Sequence, residues 1–348
     1  MNGKTQPSER LTALQQWLSD LPPALDLKPE SMTPASSDAS FRRYFRVNSG
    51  TRTLIVMDAP PPQENCAPFM DVTDRLAQAT VTVPQIMACD LEQGFMLLTD
   101  LGRDTYYDRI QKGLQDSELQ SLYRQALAML VKIQQARHEG LAAFDSARLT
   151  QELQLFPQWF VQKHHNANLT TNENEQLQTI FGLLAERMAS EPKVLVHRDF
   201  HSPNLMVCDT NTDLVNPGVL DYQDALAGPI SYDIASLVFD ARTTWEEPQQ
   251  LDWAIRYWEK ARSAGLPVPS DFAEFHQQYE WASLQRNLRI LGVFARLNLR
   301  DGKAHYLAHM PRVLQYVRQV AGRYQPFVPI VRLLDRLEGV EAEVKLTF

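Results

Sequence analysis

Residues 194–207 read VLVHRDFHSPNLMV, and the reading of the whole chain starts from them. Two apolar runs enclose His197-Arg198-Asp199-Phe200-His201-Ser202-Pro203-Asn204. A little further on, VLDYQDA puts Asp221 at the end of another apolar run, with Asp224 three positions later. Taken singly, these residues have ordinary readings. Asp199 suits a turn, Asn204 a loop hydrogen bond, and Asp221 the cap of a following helix. In this order, each at the end of a short apolar strand, they are far more specific. Short strands around polar loops, inside an otherwise helical stretch, serve to position side chains.

The flanks set the context. Pro7-Ser8 opens a helix with Leu11, Leu14, Leu18 and Leu21 at helical spacing, ended by Pro22-Pro23. The Pro- and Ser-rich segment from Pro29 to Ala39 reads as loop. SFRRYFRV and TRTLIVMDA then read as strands joined at Asn48-Ser49-Gly50, and Phe69, Val72, Leu76 and Ala79 mark a helix. PQIMACD and GFMLLTDLG form a second hairpin pattern around Leu91 to Gly94. From there helical patterns dominate. Ser117-x-x-Gln120 has capping-box form, and further patterns recur near 149–166, 172–189, 230–241, 249–264, 272–299 and 304–322. The pattern predicts an α+β fold: a small β-rich N-terminal lobe over residues 1–102 and a larger, mainly helical C-terminal lobe over 103–348 carrying the polar loop.

Composition excludes several classes. The chain has 348 residues, enough for two lobes with separate cores, and a formal net charge of -8, which argues against a nucleic-acid binder. Cys66, Cys89 and Cys208 are odd in number and widely spaced, so neither a disulfide framework nor a zinc site is expected. No window approaches the roughly 18 apolar residues of a membrane span, and the first residues lack the apolar core of a signal peptide. The expectation is a soluble, cytoplasmic protein without membrane partners.

Phosphoryl transfer to a hydroxyl needs a carboxylate to orient the hydroxyl and accept its proton. It also needs a neutral oxygen ligand and a second carboxylate to hold Mg2+. Asp199 and Asn204 have the spacing of H-R-D-x-x-x-x-N, the catalytic loop of kinases, and Asp221 supplies the second carboxylate. HRDFHSPNLMV, followed by VLDYQDALAGPISYDIASLVFD, resembles the aminoglycoside phosphotransferase and choline kinase superfamily. The match runs over His197, Asp199, His201 and Asn204, then Asp221 and Asp224, then Gly228, Pro229, Tyr232 and Asp233. His201 favours the small-molecule branch, because protein kinases usually have lysine there; no A-P-E segment follows LDYQDA either. The resemblance implies a protein-kinase-like bilobal fold, ATP with Mg2+, and an alcohol acceptor.

A narrower resemblance covers nearly the whole chain. SSDASFRRYFRV, LIVMDAPPPQEN, GFMLLTDLG and QRNLRILGVFARLNLRDGKAHYLAHMP are together similar to the N-acetylmuramate/N-acetylglucosamine anomeric kinases of bacterial cell-wall (peptidoglycan) recycling. This implies phosphorylation of the sugar's C1 hydroxyl. The sugar 1-phosphate would pass to a uridylyltransferase, without any implied physical complex.

The nucleotide end departs from the kinase pattern. Ser36 to Ser40 contains no glycine, so Ser37 and Ser40 are the candidates to reach phosphate. The third-strand lysine is also missing: Met57 or a neighbour stands at its position in TLIVMDAP. Strand alternation puts Arg42, Tyr44 and Arg46 on one face and Arg43 among Phe41, Phe45 and Val47 on the other. An arginine among apolar neighbours calls for an anionic partner, which makes Arg43 the first candidate for a phosphate contact and Arg42 the second. The alternative is that all these arginines are solvated. The resemblance implies that backbone groups around Leu98, Thr99 and Asp100 hold adenine.

For the acceptor, His201 and Asp224 either bond sugar hydroxyls or support the loop. Arg286 and Arg289 suit the carboxylate of N-acetylmuramate, although a solvated or salt-bridged helix face explains them as well. Competing readings are an aminoglycoside, a choline-like amine or homoserine as acceptor, or a pseudokinase that binds nucleotide without turnover. The missing lysine favours the pseudokinase; the intact Asp199, Asn204 and Asp221 oppose it.

Overall fold

Helix α1 (Pro7–Asp20) leads into five strands and one helix: β1 (Leu27–Ser37), β2 (Arg43–Ser49), β3 (Arg52–Asp58), α2 (Ala67–Gln78), β4 (Ile86–Asp90) and β5 (Phe95–Thr99). This is a computed structural model, and it describes residues 7–37, 41–208 and 214–340. The strands form one antiparallel sheet in the order β1-β2-β3-β5-β4. One face buries Val47, Leu54, Val56, Phe95 and Leu97 against Leu14 and Leu18 of α1. The opposite face carries Tyr44 paired with Met57, itself paired with Met96, and Arg46 paired with Ile55, itself paired with Leu98.

The segment from Pro29, read as loop, is mostly β1. Its prolines sit on an edge strand, where a missing N–H costs no ladder bond. Register shifts between Lys28 and Thr33 and between Pro34 and Ser36 accommodate them.

The remaining elements are mainly helical. They are α3 (Tyr106–Gln111), α4 (Asp116–Gln135), α5 (Ser146–Leu153), a π-helix (Phe156–His164) and α6 (Thr171–Ala189). Next come β6 (Lys193–Val196), β7 (Leu205–Met206), β8 (Gly218–Val219) and β9 (Leu226–Pro229). Helices α7 (Tyr232–Val238), α8 (Glu247–Ser263), α9 (Phe272–Asp301), α10 (Met310–Ala321) and α11 (Val328–Glu338) complete the fold. β6 pairs antiparallel with β9, and β7 pairs with β8. Ser117 lies inside α4 and caps nothing; α4 starts after Gln115. The capping boxes are Thr105 with Asp108 and Thr170 with Glu173. The pattern over 149–166 divides into α5 and the π-helix, with Pro157 in the latter's first turn.

Two units result: Met1–Asp104 with Met206–Asp224, and Thr105–Leu205 with Ala225–Phe348. In the first, Val207 N–H donates to Asp104 (2.9 Å) and Val219 N–H to the Thr82 carbonyl (2.8 Å), while Leu101, Met206 and Cys208 form a small core. In the second, α9 is the central helix, with sixteen buried residues from Phe275 to Ala295. No helix among the described residues is long and apolar enough to cross a membrane.

Gly292 lets α9 approach the start of the π-helix closely, since a Cβ there would stand 2.3 Å from the Leu155 carbonyl carbon and oxygen. Gly292→Ala should therefore cost about 1–3 kcal/mol, because backbone cannot yield as a side chain can. Thermal denaturation should show a melting point lower by a few degrees; an unchanged value would remove this contact as a constraint.

Candidate active site

The polar loop begins where β6 ends. Asp233, in the first turn of α7, is fully buried and accepts the N–H groups of His197 (2.6 Å) and Arg198 (2.9 Å). Arg198 has a φ of +77°, a left-handed conformation that costs a non-glycine residue on the order of 1–3 kcal/mol unless its surroundings hold it. They do. Besides the Asp233 bond, Arg286 Nη1 donates to the Arg198 carbonyl at 2.6 Å, and the Arg198 guanidinium is ion-paired with Glu152. The next N–H, of Asp199, points to Nδ1 of the buried His197 at 3.3 Å.

Beyond Asp199 the chain makes a tight turn. His201 N–H donates to the Asp199 carbonyl (3.0 Å), and Asn204 Nδ2 donates to the same oxygen (2.9 Å). Ser202 donates both its N–H (3.0 Å) and its hydroxyl to Asp240. Asp240 is buried and also accepts Arg242 N–H at 2.9 Å. Two buried carboxylates, Asp233 before the turn and Asp240 after it, therefore fix the backbone on either side of Asp199.

The bed under the loop explains the segment GPISYD. A Cβ on Gly228 would stand 2.8 Å from Cβ of Phe144, so glycine admits that ring. Phe144 meets Tyr232 edge-on with centroids 5.0 Å apart. The Arg198 guanidinium lies over Phe144 (5.6 Å) and that of Arg286 over Tyr232 (4.9 Å). Glu152 bridges Arg198 and Arg289, the latter at 3.3 Å.

These cations set the charge state of the site. Burial works against an ionised Asp199, but Arg289, His201, Arg286 and Arg198 together outweigh it and hold the carboxyl well below the usual carboxylate range. Burial, then the charge of Arg242, push His201 down to about 4, with Asp240 and Asp199 pulling the other way. At neutral pH the loop thus presents an ionised aspartate beside a neutral histidine. His201 Nδ1 is buried and has no hydrogen-bond partner among the described residues.

Asp221 and Asp224 belong to the first unit, and both are exposed. Asp221 has φ +62° and accepts from Gln223 at 2.8 Å. Tyr222, after it, is buried, stacks on Phe69 of α2 (5.2 Å) and shares a hydrogen bond with the Thr73 hydroxyl (2.8 Å). The amide oxygen of Asn204, in the second unit, and the carboxylate of Asp221, in the first, are each hard donors of the kind Mg2+ takes. No cluster of three or more His, Cys, Asp or Glu side chains suited to a metal occurs among the described residues.

The nucleotide-end candidates lie in the first unit, most of them with partners inside the chain. Ser40 lies outside the described residues, and Ser37, at the end of β1, is described only in its backbone pairing with Arg43. Arg43 does have an anionic partner, but the partner is Asp58, fully buried directly opposite on β3. Arg10 of α1 binds the same carboxylate at 2.7 Å, so Arg43 helps fasten α1 to its face of the sheet. Arg42 pairs with Glu64 (3.1 Å). Leu98 is buried. Thr99 exchanges backbone and hydroxyl hydrogen bonds with Gln85 (3.0 and 2.8 Å). The Asp100 carboxylate is taken by Arg46, Thr53 and Gly102 N–H. The side chains of Thr99 and Asp100 are thus braces at the end of β5.

Residues 31–275 match the model of the phosphotransferase enzyme family. The chain belongs to that family. It is 43% identical over 342 residues to the N-acetylmuramate/N-acetylglucosamine kinase of Pseudomonas aeruginosa, covering 96% of this chain and 98% of that protein. It is 42% identical over 343 residues to the protein of the same name from Neisseria meningitidis serogroup B, covering 98% and 100%. Among solved structures, choline kinase LicA from Streptococcus pneumoniae superposes with a TM-score of 0.60 at 12% identity, over 88% of this chain and 98% of that one. ADP-bound aminoglycoside phosphotransferase APH(2'')-Ib gives 0.57 at 12% identity, over 88% and 98%. At such identities the likeness shows the fold: this phosphotransferase has the α+β, kinase-like architecture expected from its motifs.

Some of the loop's supports went unread. Asp240 follows Asp233 by seven residues, at the other end of α7, and that spacing of two acids around an apolar helix was the available signal. Glu152 and Phe144 left none, because only the tertiary fold brings them to the loop.

Asp233→Ala should leave two buried N–H groups without an acceptor. The expected cost is on the order of 2–5 kcal/mol in chemical denaturation, together with loss of turnover well below the melting temperature. A variant with the wild-type denaturation midpoint would mean that other contacts hold the turn.

Proposed function

We propose that this phosphotransferase uses ATP to phosphorylate the anomeric C1 hydroxyl of N-acetylmuramate, N-acetylglucosamine or both. The products are ADP and the sugar 1-phosphate, which a uridylyltransferase then converts to the UDP-sugar in peptidoglycan recycling. The observation that carries the reading is the ionised Asp199, held on a braced turn and surrounded by Arg198, Arg286 and Arg289. The amino-sugar acceptor comes from the relatives' names. A cationic acceptor such as choline or an aminoglycoside would meet three arginines near the carboxylate meant to receive it, which counts against it.

Asp199 accepts a hydrogen bond from the C1 hydroxyl and directs its oxygen in line with the γ-phosphorus. As the oxygen–phosphorus bond forms and the bond to the β-phosphate oxygen breaks, the hydroxyl proton passes to Asp199. Asn204 and Asp221 would hold Mg2+, which would supply charge neutralisation at the phosphates. His201, neutral and with an unpartnered Nδ1, offers a hydrogen bond to a sugar hydroxyl. Asp224 is the other candidate for such contacts. Arg286 is committed to the Arg198 carbonyl and positions the loop, whereas Arg289, less buried, is the better candidate for the N-acetylmuramate carboxylate.

Incubation with ATP, Mg2+ and a panel of amino sugars, an aminoglycoside and choline tests the reading, with the phosphorylated carbon located by NMR. Phosphate at C1 of an amino sugar is expected; turnover of choline or the aminoglycoside alone would overturn it. Asp199→Asn should lower kcat by roughly 10^2–10^4-fold while ATP still binds in calorimetry.

The two charge states also predict a pH profile. Asp199 is depressed and therefore stays ionised, and His201 near 4 stays neutral, from about pH 5.5 to 8. Neither should put a limb on kcat in that range. A step near pH 6.5 that vanishes in His201→Gln would contradict this electrostatic picture.

A further inference from the structure

The missing third-strand lysine leaves the first unit without its usual phosphate-binding cation. Met57 or a neighbour stands at its position, and Met57 is fully buried opposite Tyr44. The sheet's two faces decide which arginine can substitute. Arg43 lies on the face covered by α1, where Asp58 and Arg10 account for it. Arg46 shares the other face but is bound to Asp100 and to the Gly102 carbonyl (2.8 Å) at the far end of the strand.

Arg42 is different. It lies one residue before β2, and continuing the alternation puts it on the face of Tyr44 and Met57. Tyr222, the residue after Asp221, shares a hydrogen bond with the Thr73 hydroxyl of α2 at 2.8 Å. Tyr222 in turn stacks on Phe69 of α2, and Arg42 reaches towards the entrance of the same helix. There Glu64 accepts Arg42 Nε at 3.1 Å and, through its other oxygen, the Phe41 N–H at 3.2 Å. The pair is largely shielded, with side-chain exposures of 10% and 13%. A carboxylate that holds a guanidinium and the adjoining backbone together fixes the direction of the cation, as the acidic partner of a kinase lysine does.

We infer that Arg42 is the cation that binds the ATP phosphates in this enzyme, and that Glu64 is its positioning residue. The lysine–glutamate pair has become an arginine–glutamate pair, with the cation moved from β3 to the entrance of β2. An arginine fork suits phosphate oxygens, and it reaches far enough to work from the neighbouring strand. The inference rests on the ATP-dependent reading above.

Calorimetry of the full chain with ATP, ADP and adenosine, beside steady-state kinetics, tests it. Arg42→Ala should weaken ATP and ADP by about ten- to a hundredfold and leave adenosine binding and the melting temperature near wild type. Arg42→Lys, which keeps the charge, should retain more ATP affinity than Arg42→Ala. Glu64→Gln should raise KM for ATP several-fold without moving KM for the sugar, a split that general damage to the fold would not produce. Wild-type ATP affinity in Arg42→Ala, or loss of it in Arg43→Ala alone, would overturn the assignment. So would an unchanged KM for ATP in Glu64→Gln, as regards Glu64. A wild-type protein that fails to bind ATP would instead sink the reading on which the assignment rests.

Discussion

One buried carboxylate, Asp233, accepts two successive backbone N–H groups, and the rest of the second unit is arranged so that it can. The bonds to His197 and Arg198 turn the chain out of β6 into a left-handed residue. Without them two N–H groups at the end of β6 would lose their acceptor. Asp233 is set by α7, whose start is fastened by the buried Glu191 accepting from Ser231 N–H (3.1 Å) and its hydroxyl (2.9 Å). Burial raises the Asp233 carboxyl, partly offset by His197 and by the two N–H bonds. A buried acid with good donors makes a stiff corner, since every donor it releases would be left unpaired.

The first unit solves a different problem with similar means. Its sheet has one face packed on α1 and another that carries Tyr44, Met57 and Arg46, and its buried or half-buried arginines divide between them by parity. Arg43 fastens α1 through Asp58, Arg46 ties the end of β5 through Asp100, and Arg42 meets Glu64. Each guanidinium has its own carboxylate, which is the condition for keeping so many cations at and just before one short strand. A one-residue slip in register would exchange these partners and bury charge against the Leu14 and Leu18 side of the sheet.

Much of this was legible in the sequence because the informative features are local. Alternation over FRRYFRV predicts two faces, and the D-x-x-x-x-N spacing predicts a turn with an acid and an amide. What was not legible depends on what those faces meet. The rule that an arginine among apolar residues needs an anion was sound for Arg43, but the anion in the fold is Asp58, fifteen residues away in the same sheet. The proline-bearing β1 was missed because the sequence does not say which strand is an edge. Arg286 and Arg289 were legible as arginines on a helix, but their approach to Asp199 needed the fold.

The low affinity of Asp199 for a proton bears on the choice of acceptor. A carboxylate depressed by neighbouring cations is a weak base, so it cannot remove a proton from a resting alcohol. It can orient the hydroxyl and take the proton only after the oxygen has begun to bond to phosphorus and lost electron density. Such a site works best on hydroxyls that are acidic for alcohols. A hemiacetal C1 hydroxyl is one, because the ring oxygen withdraws charge from the same carbon. The cations that weaken Asp199 as a base would also attract a carboxylated sugar and stabilise the phosphates during transfer. The same arginines thus trade basicity for anion binding, and for the anomeric hydroxyl proposed as acceptor that trade costs little.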